Sequence, residues 1–248
     1  MDREARSARS ATGLALLLAL ALLAGAGFVC LGVWQLHRLA GKEALIARVE
    51  RNVHAVPAPA PGPAEWSRIT PEDEYRRVRA RGRFDYGHEV QVAATTELGS
   101  GYWVLTPLRL QEGAWLFVNR GFVAMDQRAQ VPRGAAEGDV VGLLRLPEPH
   151  GRFLQANVPA AGRWYSRDVQ AIAATQGLPG PVAPYFIDEV ATPQTAARWP
   201  RPGLTVLRFP NDHLVYAITW FALAAMMLAA FVYVLRDDRR RRRLAPGP

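Results

Sequence analysis

The sequence predicts a membrane protein in which two transmembrane helices, one near each end, flank a mainly antiparallel β domain (α+β, barrel-like) on the extracytoplasmic side. Three observations carry that expectation. Ala11–Leu36 and Leu214–Leu235 contain no charged residue, and each reaches the roughly 20 residues that a helix needs to cross a bilayer. Between them, short runs rich in Val, Leu, Thr or aromatic residues alternate with Gly- or Pro-containing turns, the spacing of strands in a sheet. Finally, Arg236–Arg243 holds six Arg against two Asp, and an arginine cluster just past a span marks the cytoplasmic face.

In chain order, residues 1–10 are a cytoplasmic tail and 11–36 the first span. Ala24-Gly25-Ala26 resembles a signal-peptide cleavage site, but the apolar stretch is far longer than a secretory h-region and continues past it, so the span is expected to be retained. Residues 37–212 form the extracytoplasmic domain. It opens with a polar helical pattern over 37–52, where Leu39, Ile46 and Val49 recur at about helical spacing. The Pro-rich stretch 57–63 stops that helix and reads as an extended linker. Strands are expected at Tyr75–Phe84, Glu89–Thr96, Tyr102–Leu110, Ala114–Val123 and Val140–Leu146, with a hairpin turn at Gln111-Glu112-Gly113. A helix over Ser166–Gln176 starts at Ser166, with Asp168 near its N-terminus, and stops at Gly177. Tyr185–Val190 and Leu204–Phe209 are expected to return to the sheet. Residues 213–235 are the second span and 236–248 the basic cytoplasmic tail. Because both spans cross, both termini share the cytoplasmic side of a bacterial inner membrane.

The net charge of +8 does not point to nucleic acid, because the two tails hold +5 of it; the C-terminal cluster suits anionic lipid instead. Lys42 is the only lysine and Cys30, inside the first span, the only cysteine. One cysteine excludes an internal disulfide and any Cys-x-x-Cys redox or soft-metal chemistry. Walker, Gly-x-Ser-x-Gly, His-Glu-x-x-His and dinucleotide motifs are absent, and the five histidines (37, 54, 88, 150 and 213) are dispersed. No enzyme is indicated.

Two stretches have chemistry of interest. Trp34, His37, Arg38 and Gly41 lie at i, i+3, i+4 and i+7, on one helical face at the outer end of the first span. An interfacial anchor with a snorkelling Arg38 is the simpler reading; the same face could also hold a flat anionic molecule. His213, Tyr216 and Trp220 repeat that spacing at the start of the second span, behind Asn211 as N-cap and Asp212 at the positive end of the helix dipole. An imidazole flanked by two aromatic side chains at the bilayer edge suits haem ligation, and an aromatic belt with a stray histidine suits the spacing equally. Within the domain, Val118-Asn119-Arg120-Gly121 puts a polar pair into an apolar strand. Arg120 should find a carboxylate or another anion there, in a structural salt bridge before a ligand contact, and Gly121 a bulge or a close backbone contact. Thr106-Pro107 breaks the preceding run and marks a sheet edge or bulge.

Taken together, these pieces resemble the surfeit-locus (Surf-one/Shy) cytochrome c oxidase assembly family. The resemblance runs in order through Gly32-x-Trp34-Gln35-x-x-Arg38-x-x-x-Lys42, Tyr75-x-x-Val78 with Gly82, Gly101–Leu108, Val118–Gly121 and Asn211–Phe221. Phe122 stands where Trp often follows Arg-Gly, and Asp212 where a second Asn is common. The resemblance implies a non-enzymatic assembly factor that binds haem a and assists its insertion into the oxidase's catalytic subunit, with His213 as the axial iron ligand. Haem a synthase is a further expected partner. Tyr216, Trp220 and Trp34 beside the macrocycle and Arg38 near a propionate are geometric expectations added to it. A scaffold that stabilises an oxidase assembly intermediate without touching haem is the alternative.

Overall fold

Helix α1 (Ala11–His54) opens the computed structural model, which describes residues 10–149, 151 and 155–244. Seven strands and two more helices follow: β1 (Ala58–Pro59), β2 (Arg77–Phe84), β3 (Val90–Thr96), β4 (Gly99–Leu110), β5 (Trp115–Ala124), β6 (Glu137–Arg145), α2 (Val169–Gln176), β7 (Val182–Glu189) and α3 (His213–Leu244). Two compact units result, one of Met1–Ala47 with Arg208–Pro248 and the other of Arg48–Leu207. Helices α1 and α3 are both long and apolar enough to cross a membrane.

In the second unit the strands form one mixed sheet ordered β1-β2-β6-β7-β5-β4-β3. Five pairings are antiparallel; β1–β2 and β5–β7 are parallel. Strand β2 also pairs with β4 through Gly82↔Leu110 to Phe84↔Leu108, so the ladder β2-β6-β7-β5-β4 returns on itself and the sheet is barrel-like. Gly82 makes this closure possible, because a Cβ there would sit 2.3 Å from the Arg109 carbonyl oxygen.

Two apolar clusters fill the unit. Val78, Leu108, Leu116, Val118, Leu144, Tyr185 and Ile187 pack on one face of the sheet. Leu105, Phe117 and Phe186 face the other side, where Val169, Ile172 and Ala173 of α2 cover them. Alternate residues of β5 and β7 thus enter different clusters, which explains why Trp115–Val118 and Tyr185–Ile187 read as continuous apolar runs. The hairpin turn forms as expected, with Leu110 N–H bonded to the Ala114 carbonyl at 2.8 Å and Gly113 at φ 79°.

Several expectations are corrected. Tyr75 takes φ 66°, so β2 begins two residues later, at Arg77. Helix α2 is capped by Asp168, whose carboxylate accepts from Ala171 N–H at 3.1 Å; Ser166 lies upstream and is buried among Asn157, Gly151 and the Glu148 carbonyl. Residues 57–63 are not a free linker. Ala58 and Pro59 pair with β2, and the Pro61 carbonyl accepts from Trp66 Nε1–H and from the buried Tyr185 hydroxyl. Residues 204–209 form no strand: contact with β5 is limited to a one-residue bridge from Arg201 to Phe122, and Pro202 and Gly203 (φ 78°) turn the chain away from the ladder. Pro107 lies inside β4, in the gap between the β3 pairing, which ends at Leu105, and the β2 pairing, which starts at Leu108. A residue without an N–H costs no ladder bond there.

Candidate functional site

The first unit brings the apolar helices together along a regular seam. On α1 the covered positions include Leu14, Leu18, Ala21, Gly25, Phe28, Gly32 and Gln35; on α3 they include His213, Ala217, Trp220, Ala224, Met227, Phe231, Val234 and Asp238, with Ala24, Leu39, Leu223, Val232, Leu235 and Asp237 half-buried on their flanks. Steps of three and four alternate on both helices, the 3.5-residue repeat of a left-handed helix pair. Direct contacts confirm the match. Phe28 stacks on Trp220 with centroids 5.7 Å apart and planes 22° from parallel. Gly32 lies so close to Phe221 that a Cβ would meet its ring at 2.6 Å. Small residues at such points let helix backbones approach.

At the outer end of the seam stands His213. It is the first residue of α3, and its Nδ1 lies 2.8 Å from Oε1 of Gln35. Gln35 is 8% exposed. An amide oxygen can only accept, so the contact as placed pairs with a proton on Nδ1, and Nε2 has no hydrogen-bond partner among the described residues. The first backbone bond of α3 runs from Tyr216 N–H to the Asp212 carbonyl, so Asp212 takes the cap position expected for Asn211. The Asn211 side-chain oxygen and Trp220 Nε1 are buried and have no hydrogen-bond partner among the described residues.

The five residues nominated from sequence do not all converge. His213 and Trp220 occupy the seam. Tyr216 is 55% and Trp34 53% exposed, and Arg38 is exposed as well, on the outer flanks of the two helices. Trp34, His37, Arg38 and Gly41 do share a helical face, and a Cβ at Gly41 would meet open space. The companions that His213 and Trp220 do have are Gln35, which the sequence offers as one residue of the Gly32–Lys42 motif, and Phe28, which carries no local signal. A lone glutamine in an uncharged 26-residue run was the signal available for Gln35. Among the described residues no three His, Cys, Asp or Glu side chains gather as a metal site. His54 and His88 pair with Glu50 and Asp85, and His150 lies outside the described residues. A porphyrin brings its own equatorial nitrogens and needs from the protein an axial ligand, which an imidazole whose Nε2 has no partner among the described residues can supply; the Phe28–Trp220 stack lies two turns further into the helix pair.

The β domain holds a different polar cluster, invisible in the sequence. Asp188, 3% exposed, accepts from Asn119 at 2.8 Å, Arg145 at 3.0 Å, Arg167 at 3.2 Å and Thr205 at 3.0 Å. Arg145 also binds Glu74 and lies over the Tyr75 ring; Arg167 binds Glu148 and lies over Phe186. Burial pushes the Glu148 carboxyl up, but the Arg167 hydrogen bonds and charge outweigh it and hold the group below the usual range. Arg120 meets Glu89 at 2.8 Å, with Thr106 on the same carboxylate, so the carboxylate partner expected for it is present. Gly121 takes φ 128°, where a Cβ would press on the Arg201 carbonyl at 2.3 Å. Every charge named here is matched within the domain, and the cluster reads as structure.

Comparison with known proteins agrees with the motif order. Residues 22–225 match the model of the SURF1 family. Surfeit locus protein 1 of Mus musculus is 34% identical over 219 residues, covering 79% of this chain and 68% of the mouse protein. That of Homo sapiens is 34% identical over 217 residues, covering 79% and 69%. A SURF1-like protein of Monosiga brevicollis is 34% identical over 236 residues, covering 88% and 87%. With the match running from the first third of α1 into the first half of α3, and so over the outer part of the seam, the β domain and the His213 turn, this chain belongs to the SURF1 family.

Proposed function

We propose that this chain is a membrane-bound assembly factor of cytochrome c oxidase that binds haem a at His213 and assists its passage to the catalytic subunit. Family membership supports the assembly role, which is a non-enzymatic one. The observation that carries the haem reading is the His213–Gln35 contact through Nδ1, with Nε2 meeting no partner among the described residues at the outer end of a helix pair. Haem supplies an iron that takes this nitrogen as axial ligand. The Trp220–Phe28 stack lies two turns, about 10 Å, further into the helix pair than His213; exposed Trp34, Tyr216 and Arg38 would meet the macrocycle or a propionate only from the outer side of the helices. Both termini lie in the cytoplasm of a bacterial cell, the β domain outside the inner membrane, and haem a synthase delivers the cargo.

The test is co-expression with the haem a pathway, purification, and comparison of haem content between the unaltered protein and His213→Ala. The variant should lose most of its haem. If instead the purified protein is colourless and His213→Ala still supports oxidase assembly, the chain is a scaffold for an assembly intermediate and the haem reading fails.

A further inference from the structure

We infer that Gln35 is the positioning residue that makes His213 a ligand, by accepting its Nδ1–H and so holding the imidazole in the tautomer whose free lone pair is on Nε2. This rests on the reading that His213 binds haem. A neutral imidazole has one N–H, and the hydrogen bond made by one nitrogen decides which of them keeps the lone pair. At 2.8 Å, the Gln35 carbonyl oxygen is an acceptor aimed at Nδ1. With the amide turned over, its NH2 would donate to Nδ1, the ring proton would sit on Nε2, and iron would find no lone pair there. The orientation of one buried side chain thus separates a ligand from a spectator.

The surroundings hold both partners in register. Gln35 occupies a seam position on α1, three residues beyond Gly32, where the contact with Phe221 brings the helices close. Ala217, one turn below His213, is 1% exposed and leaves α3 little room to rotate. A buried amide in an uncharged span is costly unless it is hydrogen-bonded, so its presence opposite His213 needs a reason that packing alone does not supply. Groups that orient a ligating histidine fix the ring and raise its basicity, and losing one costs about 10- to 100-fold in metal affinity.

The experiment uses the full chain in lipid nanodiscs, with [15N]histidine spectra of the haem-free protein and titration with ferric haem a. His213 is assigned by difference against His213→Ala. The haem-free protein should carry its His213 proton on Nδ1. Gln35→Leu should move it to Nε2 and weaken haem binding roughly 10- to 100-fold. Gln35→Glu should keep the Nδ1–H form, retain haem and lower the iron's midpoint potential, because a carboxylate accepts more strongly; it also separates a lost acceptor from a disturbed helix pair. A proton on Nε2 in the unaltered protein, or wild-type affinity in Gln35→Leu alongside haem loss in His213→Ala, overturns the positioning role. Full haem retention in His213→Ala overturns the reading beneath it.

Discussion

Asp188 illustrates how much a single side chain can organise without belonging to a ligand site. Four hydrogen-bonding neighbours, two of them arginines, meet on a carboxylate that is almost wholly buried. Removing one partner of such an arrangement leaves the others' charge uncompensated, at a cost of about 3–5 kcal/mol. Asp188→Asn should therefore lower the unfolding free energy of the β domain by that order, read from chemical denaturation, while leaving His213 chemistry untouched. Gly121 makes the same point through backbone geometry. Its φ of 128° and its distance from Arg201 admit no side chain, so Gly121→Ala should destabilise the domain by about 2 kcal/mol or more; a shift under 0.5 kcal/mol would show that the Arg201 bridge yields freely. Sequence reasoning reached Gly121 and Arg120 because a glycine and a charge inside an apolar strand are anomalies. Asp188 gave no such signal, since its partners are supplied from up to 69 residues away.

Strands and helices were legible as periods, and their ends were decided elsewhere. The apolar runs Trp115–Val118 of β5 and Tyr185–Ile187 of β7 follow from burial on both faces, and α2 is an amphipathic helix whose Val169, Ile172 and Ala173 share one side. Its start moved from Ser166 to Asp168 because Ser166 is engaged by the 148–157 segment, which no local rule could foresee. Within the helix pair, apolar content identifies each helix, whereas the 3.5-residue seam has no local signal where nearly every position is apolar. The seam gives Gly32 its purpose. Gly32→Ala should push Phe221 off α1, with an overpacking cost of about 1–3 kcal/mol, and should weaken the Gln35–His213 contact three residues on. Thermal unfolding in detergent with the indole fluorescence of Trp220 would register it; unchanged melting and spectrum would mean that Phe221 swings aside at no cost.

Across the whole chain, two apolar helices and one barrel-like sheet domain place six Arg at one end of α3 and His213 at the other. In a bilayer this arrangement predicts the orientation directly. With Cys30→Ala as background, a membrane-impermeant maleimide should label Leu98→Cys, on an exposed turn of the β domain, in cells with only the outer membrane opened, and should label Arg243→Cys only after lysis. Labelling of Arg243→Cys before lysis would reverse the topology. The sequence by itself determined the two long apolar helices, the presence of an intervening β domain, the family motifs and His213 as a residue of interest, because hydropathy, short apolar runs between turn residues and residue type are local properties that the chain carries unfolded. Only the tertiary structure decided that β2 closes the ladder on β4, that Asp188 gathers the arginines, and that Gln35 rather than Arg38 or Trp34 stands against His213. Those are contacts between residues as many as 178 positions apart, fixed by the packing of backbones that no local pattern records.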